Sequence, residues 1–195
     1  FGSKQIMIMK EFKMRHIKII NSILLIISLF LITSCSNNNA MKPEDFKNKE
    51  PRLIIEEYLS GNVKAWGVLQ NRSGKVTRQF SADLNGTWDG KQLILKEKFN
   101  WDDGEIQDRE WTINKIDEHN YEGTAGDVVG KAKGFSYGPA FKFEYVLLVP
   151  VKGRELKITF DDWIFKQDDR VAINRATMTK FGFKVAELTV VFVKD

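Results

Sequence analysis

The sequence is poor in the residues on which metal sites and nucleophilic catalysis depend. Its 195 residues include a single cysteine, Cys35, and two histidines, His16 and His119. His16 lies in a segment that we expect to be removed, and His119 lies between predicted strands, where a turn histidine is usually solvated. This composition excludes a disulfide, a His-ligated zinc site, a Ser-His-Asp triad and a Cys-His pair from the mature chain. No catalytic residue, metal or cofactor is predicted.

The one long apolar run of the chain ends in a pattern typical of bacterial lipoprotein signals. Residues 23–31 are all apolar apart from Ser28, basic residues precede them, and Ile32-Thr33-Ser34-Cys35 follows. Such a signal is cleaved before the cysteine, whose thiol is then acylated. A transmembrane anchor is the rival interpretation, but residues 17–33 fall short of the roughly 20 apolar residues that a spanning helix needs. The sequence therefore predicts lipidation at Cys35.

Cleavage at this site divides the chain into three parts. Residues 1–34 are upstream residues and signal peptide, with Met14 as the expected start, residues 35–50 are the lipidated cysteine and a polar tether, and residues 51–195 are a single domain. The full chain has 30 basic and 26 acidic residues. Five basic residues and one acidic residue precede Cys35, which leaves 25 of each sign, so nucleic-acid binding is not expected.

The residue after the cysteine bears on localisation. Ser36 follows Cys35, whereas an aspartate in that place would favour retention in the inner membrane. For a Gram-negative source we therefore predict a protein of the cell envelope, anchored in the outer membrane and facing the periplasm.

The pattern beyond residue 64 is that of a β protein. Short runs rich in Val, Ile, Phe, Trp and Thr alternate with turn signals, and nearly every connection is hairpin-sized, so successive strands are antiparallel neighbours. About nine strands would leave two exposed edges unless the sheet closes. The sequence predicts an all-β, antiparallel up-and-down barrel, with a short N-terminal helix over residues 51–59. The predicted strands cover 64–71, 75–84, 91–101, 105–116, 121–133, 140–151, 155–166, 170–180 and 184–194.

One hairpin can be registered from the sequence. If Asp102-Asp103-Gly104 is a three-residue loop with Gly104 in the left-handed conformation, Glu97 faces Arg109 across the two strands. The same register matches apolar residues on one face, which we assign to the interior. The other predicted pairs on that face are Phe99 with Gln107, Leu95 with Trp111, and Leu93 with Ile113.

A second charged pair is indicated where Asp161-Asp162-Trp163 runs antiparallel to Ile173-Asn174-Arg175. A three-residue loop at Gln167-Asp168-Asp169 pairs Arg175 with Asp161, and a two-residue loop pairs it with Asp162. An arginine inside an apolar barrel costs several kcal/mol unless it is paired. Arg109 and Arg175 are therefore either members of structural ion pairs or polar contacts for a bound ligand.

A glycine-rich stretch resembles a phosphate loop only superficially. Gly130-Lys131 lies within it, but Ala132 stands where Ser or Thr is required, and no helix follows. Glycines inside strands usually mark bulges or a close approach of another group to the backbone. We expect this explanation for Gly123, Gly126, Gly130 and Gly134.

Several motifs together resemble a bacterial lipoprotein family known only as a domain of unknown function, DUF3833. The motifs lie in residues 67–74, 102–111, 123–130, 161–163 and 173–182, and Asp161-Asp162-Trp163 with Asn174-Arg175 is the most specific part. The resemblance covers the mature chain and implies an envelope lipoprotein without an agreed activity. The barrel also resembles the calycins, in which an arginine from a late strand covers a tryptophan near the first strand. Trp66 and Arg175 would fill those places, although Trp66 precedes Gly67 and the usual Gly-x-Trp is absent.

These features predict a barrel that binds or carries a small apolar or amphipathic ligand, a fatty acid or lipid, without covalent chemistry. Its partners would be this ligand and the membrane that holds Cys35. A structural envelope protein with a filled barrel, and a carboxylate-dependent enzyme acting on a modified lipid or sugar, remain alternatives. The predicted ligand-contacting residues are Trp66, Glu97, Arg109, Trp111, Phe160, Asp162, Trp163 and Arg175.

Overall fold

The computed structural model describes residues 40–151 and 153–195. The predicted signal segment, the lipidation site Cys35 and the first part of the predicted tether lie outside these residues, so their assignments stay predictions. In the part of the chain that is described, no helix has the length and apolar character needed to span a bilayer.

Ten antiparallel strands form a closed barrel, in which each strand pairs with the next along the chain and the last pairs with the first. The predicted all-β up-and-down barrel is confirmed, with ten strands where about nine were expected. The strands are β1 (Gly61–Asn71), β2 (Val76–Trp88), β3 (Gln92–Trp101), β4 (Ile106–Lys115), β5 (Asn120–Thr124), β6 (Ala132–Tyr137), β7 (Ala140–Val151), β8 (Arg154–Lys166), β9 (Val171–Lys180) and β10 (Phe183–Lys194).

The extra strand arises in the glycine-rich stretch. The predicted strand over 121–133 is two strands, β5 and β6, because the chain leaves the sheet before Gly130, which has a φ of 76°. The excursion bonds to β7: the Val129 N–H donates to the Val146 carbonyl at 2.8 Å, and the Leu148 N–H donates to the Asp127 carbonyl at 2.9 Å. This pairing holds Asp127 at the barrel wall.

The register of β3 and β4 is the one predicted. Glu97 lies opposite Arg109, Leu95 opposite Trp111 and Phe99 opposite Gln107, and Gly104 has a φ of 87°. The left-handed glycine closes the three-residue loop as expected.

The register of β8 and β9 differs from both predicted alternatives. Arg175 lies opposite Trp163, not opposite Asp161 or Asp162. Asp168 Oδ1 accepts hydrogen bonds from the backbone N–H groups of Arg170 and Val171, at 2.8 and 2.7 Å, which centres the turn one residue later. Relative to the predicted three-residue loop this displacement moves the partner of Arg175 by two residues, and relative to the two-residue loop by one, so both predicted pairings were wrong.

The barrel is closed at one end by residues 53–59. They include α1 (Ile55–Tyr58), a single turn at the place where a short helix was predicted, and Leu53 and Ile55 are fully buried. The contact is close, since a Cβ atom at Gly86 would lie 2.0 Å from the Leu59 carbonyl oxygen. The Lys194 ammonium donates to the carbonyl groups of Glu57, Tyr58 and Ser60 and so holds the C-terminal end of α1. We call this the closed end, and the opposite end the mouth end.

Part of the predicted tether packs on the outer wall. A 3-10 helix (Pro43–Phe46) places the Phe46 ring against Trp163 and Phe165, with ring centroids 6.0 and 5.5 Å apart. This apolar contact fixes residues 43–46, which belong to the predicted tether of residues 35–50, on β8.

Candidate ligand-binding cavity

The interior of the barrel holds a cavity of about 430 Å³. It extends from Ile55 and Leu59 at the closed end to Arg78, Glu105 and Pro150 near the mouth end. Side chains of successive residues alternate between the two faces of a strand, so every second residue of each strand points inward. Most of the lining side chains are apolar or aromatic.

One wall of the cavity is aromatic. The Trp111 ring lies 5.1 Å from the Phe143 ring and 5.3 Å from the Tyr145 ring, and Tyr145 stacks on Phe160 with centroids 4.9 Å apart. The Phe143 ring lies directly over the backbone of Gly123, because a Cβ atom at Gly123 would lie 2.4 Å from this ring. The expected close approach is thus found at Gly123, and a large flat apolar surface results.

A polar cluster interrupts the apolar lining near mid-barrel. Arg109 donates from Nε and Nη2 to Asp127 Oδ2, at 3.1 and 2.8 Å, and Arg109 Nη1 lies 3.9 Å from Glu97 Oε2. The other oxygen of Asp127, Oδ1, is buried and has no hydrogen-bond partner among the described residues. Arg109 is therefore committed mainly to Asp127, and a strong hydrogen bond to Glu97 is not formed.

A second carboxylate faces the same cavity from β8. Asp162 accepts a hydrogen bond from the Tyr145 hydroxyl at 2.9 Å and another from the Asn174 amide. Burial and the charge of Asp162 raise the pKa of Tyr145 well above its ordinary value. The phenol therefore stays protonated and acts as the donor, and among the described residues Asp162 has two donors and no basic side chain in direct contact.

Burial changes the acidity of both carboxyl groups. It raises the pKa of Glu97 to about 7 and the pKa of Asp162 to about 6. The charge of Arg109 opposes the rise at Glu97, and the Asn174 hydrogen bond opposes it at Asp162. Three carboxyl groups share one guanidinium, so the cluster keeps a net negative charge near neutral pH even when Glu97 is protonated.

The described residues offer no metal site. Within residues 40–151 and 153–195, no three His, Cys, Asp or Glu side chains are arranged to hold a metal ion.

Comparison with protein families decides which family the chain belongs to. The model of the family described as "Protein of unknown function (DUF3833)" matches residues 29–194. The chain belongs to the DUF3833 family. A search of the curated proteins found no match.

Two solved structures share the fold of this DUF3833 protein. The S-type phycobiliprotein lyase CPES from Guillardia theta has a TM-score of 0.56 and 9% identity, over 80% of this chain and 98% of the lyase. A protein of unknown function from the DUF3598 family of Nostoc punctiforme also has a TM-score of 0.56, with 14% identity over 75% of this chain. The match spans 51% of the Nostoc protein. At these identities the likeness concerns the fold alone.

Five of the eight predicted ligand-contacting residues of the DUF3833 chain are brought together. They belong to three strands, β3, β4 and β8, and their side chains line one cavity. The predicted register of the β3–β4 hairpin accounts for Glu97, Arg109 and Trp111, and Phe160 and Asp162 alternate on the inward face of β8. The five are Glu97, Arg109, Trp111, Phe160 and Asp162.

The other three predicted residues lie outside the cavity, contrary to prediction. Trp66 is 50% exposed on the outer wall. The Arg175 side chain is 62% exposed and pairs with Glu187. Trp163 is buried, but under Phe46 on the outer face of β8. Each neighbours an inward-facing residue in sequence, so strand alternation points it outward.

The expected calycin-like pairing of Trp66 with Arg175 is therefore not formed. A related contact occurs at the mouth end, where the Arg78 guanidinium lies 4.0 Å from the centroid of the Trp101 ring. Arg78 also donates to Asp103 and Glu105, at 2.7 and 2.8 Å.

Sequence reasoning missed four residues of the site: Asp127, Phe143, Tyr145 and Asn174. The two aromatic residues alternate with Lys142 and Glu144 along β7, and this period of two was a usable signal. Asn174 offered no such signal, because a single polar residue in an apolar strand does not reveal its partner.

Proposed function

We propose that this protein binds a small, predominantly apolar molecule inside the barrel and carries or shields it, without covalent chemistry. The observation that carries the proposal is the cavity of about 430 Å³ with an aromatic wall and a few convergent polar groups. Ligand pockets commonly enclose about 300 to 1,000 Å³ and have this composition. A filled barrel, the structural alternative, would leave no such space.

The polar cluster suggests which end group the ligand carries. Arg109 already bonds to Asp127, and Glu97 and Asp162 add further negative charge. A ligand carboxylate would be repelled there, whereas a hydroxyl, amide or amine could donate a hydrogen bond to Asp162 or Glu97. We therefore favour a lipid with a donor end group over an ionised fatty acid.

A lipid anchor fits this role. Acylation of Cys35, followed by a short segment that reaches the outer wall at Phe46, would hold the barrel close to a bilayer in the cell envelope. Mass spectrometry of the N-terminal peptide of the mature protein tests the anchor. We expect a diacylglyceryl mass on Cys35, and an unmodified Cys35 would contradict the proposal.

The ligand itself can be tested on residues 36–195, which contain every described strand and helix. Calorimetric titration with an alkyl amine, alcohol and carboxylate of equal chain length should show binding of the amine and alcohol and weaker binding of the carboxylate. Met178→Trp should abolish binding, because Met178 lines the cavity. Thr177→Trp is the matched control, since its side chain points outward in the next position. Equal binding by both variants, or no binding by the unmodified chain, would count against the proposal.

One observation keeps a carboxylate-dependent enzyme as a second candidate. Glu97 and Asp162 face one cavity with pKa values of about 7 and about 6, a range suited to general acid and base catalysis. Incubation of a bound lipid with the protein and with Glu97→Gln separates the two functions. Product formation that depends on Glu97 would establish an enzyme, and an unchanged lipid would support carriage.

A further inference from the structure

The turn between β9 and β10 exposes two aromatic side chains to solvent. Phe181 is 89% exposed and Phe183 is 77% exposed. Aromatic side chains are among the residues that gain most from burial. Packing within the barrel does not account for two phenylalanines at this position.

Backbone preference does not account for Phe181 either. Phe181 has a φ of 52° and Gly182 a φ of 80°, so both central residues of this two-residue turn are left-handed. Such turns favour Asn-Gly or Asp-Gly, and a bulky residue at positive φ is uncommon. The turn thus retains an aromatic residue that is unfavourable both for its conformation and for its exposure.

The charged residues of the turn itself are all basic, although Lys184 also pairs with Glu187 further along β10. We call residues 180–184 the β9–β10 tip, and residues 71–75 the β1–β2 tip; both lie at the mouth end and are neighbours, because β10 pairs with β1. Together they contain four basic residues and no acidic residue. The basic residues are Arg72, Lys75, Lys180 and Lys184.

The β3–β4 tip, residues 101–105, which adjoins the β1–β2 tip because β2 pairs with β3, has the reverse charge. It contains three acidic residues and no basic residue. Arg78 of β2 donates to two of these acidic residues, Asp103 and Glu105, whereas the two basic tips form one continuous part of the rim that carries both exposed aromatic rings. This asymmetry argues against a purely solvated rim and indicates a partner surface that is negatively charged and can accept apolar side chains.

We propose that the β1–β2 and β9–β10 tips dock on an anionic lipid bilayer, with Phe181 and Phe183 inserted at the headgroup boundary. Convex tips that present aromatic rings between lysines match a fluid anionic surface, in which rings insert and lysines contact headgroups. The predicted anchor at Cys35 would keep such a surface within reach. Docking in this way turns the mouth of the cavity toward the membrane. The proposal does not depend on which ligand the cavity binds.

Flotation with vesicles tests the docking. Residues 36–195, which lack the acylated cysteine, are mixed with phosphatidylcholine vesicles or with equimolar phosphatidylcholine and phosphatidylglycerol. We expect binding to the anionic vesicles that weakens with salt, and little binding to phosphatidylcholine alone. Absence of binding to either kind of vesicle would overturn the proposal.

The decisive variant combines Phe181→Asn with Phe183→Thr. Asparagine favours the left-handed turn and threonine favours a strand, so the thermal unfolding midpoint should not fall. Binding to anionic vesicles should fall about tenfold or more. Ile106→Thr is the matched control, because Ile106 is 63% exposed at the acidic side of the same rim. Equal losses in the two variants, or no loss in the first, would contradict the assigned surface.

A charge variant gives a second, independent test. Arg72→Gln with Lys75→Gln should weaken binding to anionic vesicles by about fivefold per residue, with no change on phosphatidylcholine. Unchanged binding would overturn the electrostatic part of the proposal. Calorimetric titration of the cavity ligand should be the same for these variants and the unmodified chain, so failure of docking is distinguishable from failure of ligand binding.

Discussion

Arg109 directs two of its nitrogen atoms to a single oxygen of Asp127, at 3.1 and 2.8 Å, although Glu97 is its neighbour directly across the sheet. The nearest approach of Arg109 to Glu97 is 3.9 Å. The guanidinium is thus neutralised by a residue from the β5–β6 connection, and Glu97 remains weakly paired. This arrangement decides the charge that a ligand meets at mid-barrel.

Asp127→Asn should change the ligand preference of the cavity. Loss of the Asp127 charge frees Arg109 to bond a ligand carboxylate, so affinity for an alkyl carboxylate relative to the alkyl amine should rise by about tenfold. The measurement is calorimetric titration with both compounds. Asp83→Asn, which removes an outward-facing charge paired with Lys64, should leave the ratio unchanged. A ratio that does not move in Asp127→Asn would show that Arg109 does not contact the ligand end group.

Glu97 should make the stability of the barrel depend on pH. Burial raises its pKa from 4.5 to about 7. Between these values the folded chain binds more protons than the unfolded chain, so the free energy of unfolding falls as the pH rises from 4.5 through about 7. The loss from Glu97 alone is on the order of 3 kcal/mol at 1.36 kcal/mol for each pKa unit.

Denaturant titration at a series of pH values measures this effect. Glu97→Gln has no charge to bury, so its unfolding free energy should depend less on pH over this range. Glu110→Gln is the control, because Glu110 is on the outward face of β4 near Lys96. A stability that rises with pH in the unmodified chain would refute the assignment. The hydrogen bonds from the backbone N–H groups of Arg170 and Val171 lower the pKa of Asp168 from 3.8. The stability that Asp168 contributes is therefore lost only as the pH falls below this value, outside the range in which Glu97 titrates.

Gly123→Ala should destabilise the barrel by about 1 to 3 kcal/mol, because the added Cβ meets a ring that cannot easily move. That ring belongs to Phe143, which is held between Trp111, Phe141 and Tyr145. Gly126→Ala is the matched control from the same stretch, since a Cβ at Gly126 meets nothing within 4 Å. Urea denaturation compares the two, and equal midpoints would show that the wall can repack.

Glu56→Gln should loosen the closed end. The buried Glu56 accepts hydrogen bonds from Lys115 and from the Tyr121 hydroxyl, the latter at 2.9 Å. Burial acts to raise the pKa of Glu56, but the hydrogen bonds from Lys115, the backbone and Tyr121, together with the Lys115 charge, outweigh it and the pKa is lowered. Loss of the Glu56 charge should lower the free energy of unfolding by about 1.5 to 3 kcal/mol. Glu57→Gln, at an exposed neighbouring position, should have little effect on the thermal midpoint, and a similar fall in both variants would contradict the argument.

Predictions from sequence succeeded where the interaction is local to one hairpin. Gly104 allows only a small set of turns, so the pairing of Glu97 with Arg109 followed from the loop. They failed at the next charged hairpin, where the Asp168 side chain competes for the turn and shifts it. The partner of Arg175 is therefore Trp163, two residues from Asp161 and one residue from Asp162, the two predicted partners.

Which face of the sheet a tryptophan side chain occupies was harder to predict than whether the residue lies in a strand. Trp163 is apolar and buried, as expected of a cavity wall, but a 3-10 helix from the predicted tether covers it from outside. Trp66 lies on the outer wall with half of its surface exposed. Apolar residues occur on both faces of these strands, so hydrophobicity alone did not distinguish the interior from a covered exterior.

The sequence by itself determined the closed antiparallel barrel, because alternating residues, short connections and left-handed glycines are each local and together leave few topologies. It also determined the family, through motifs spread over the chain. Only the tertiary structure decided that Asp127 neutralises Arg109 and that three carboxyl groups share one interior. These partners are far apart in the chain and meet only when the sheet closes, so their distances, and the pKa values that follow from burial, do not exist before folding.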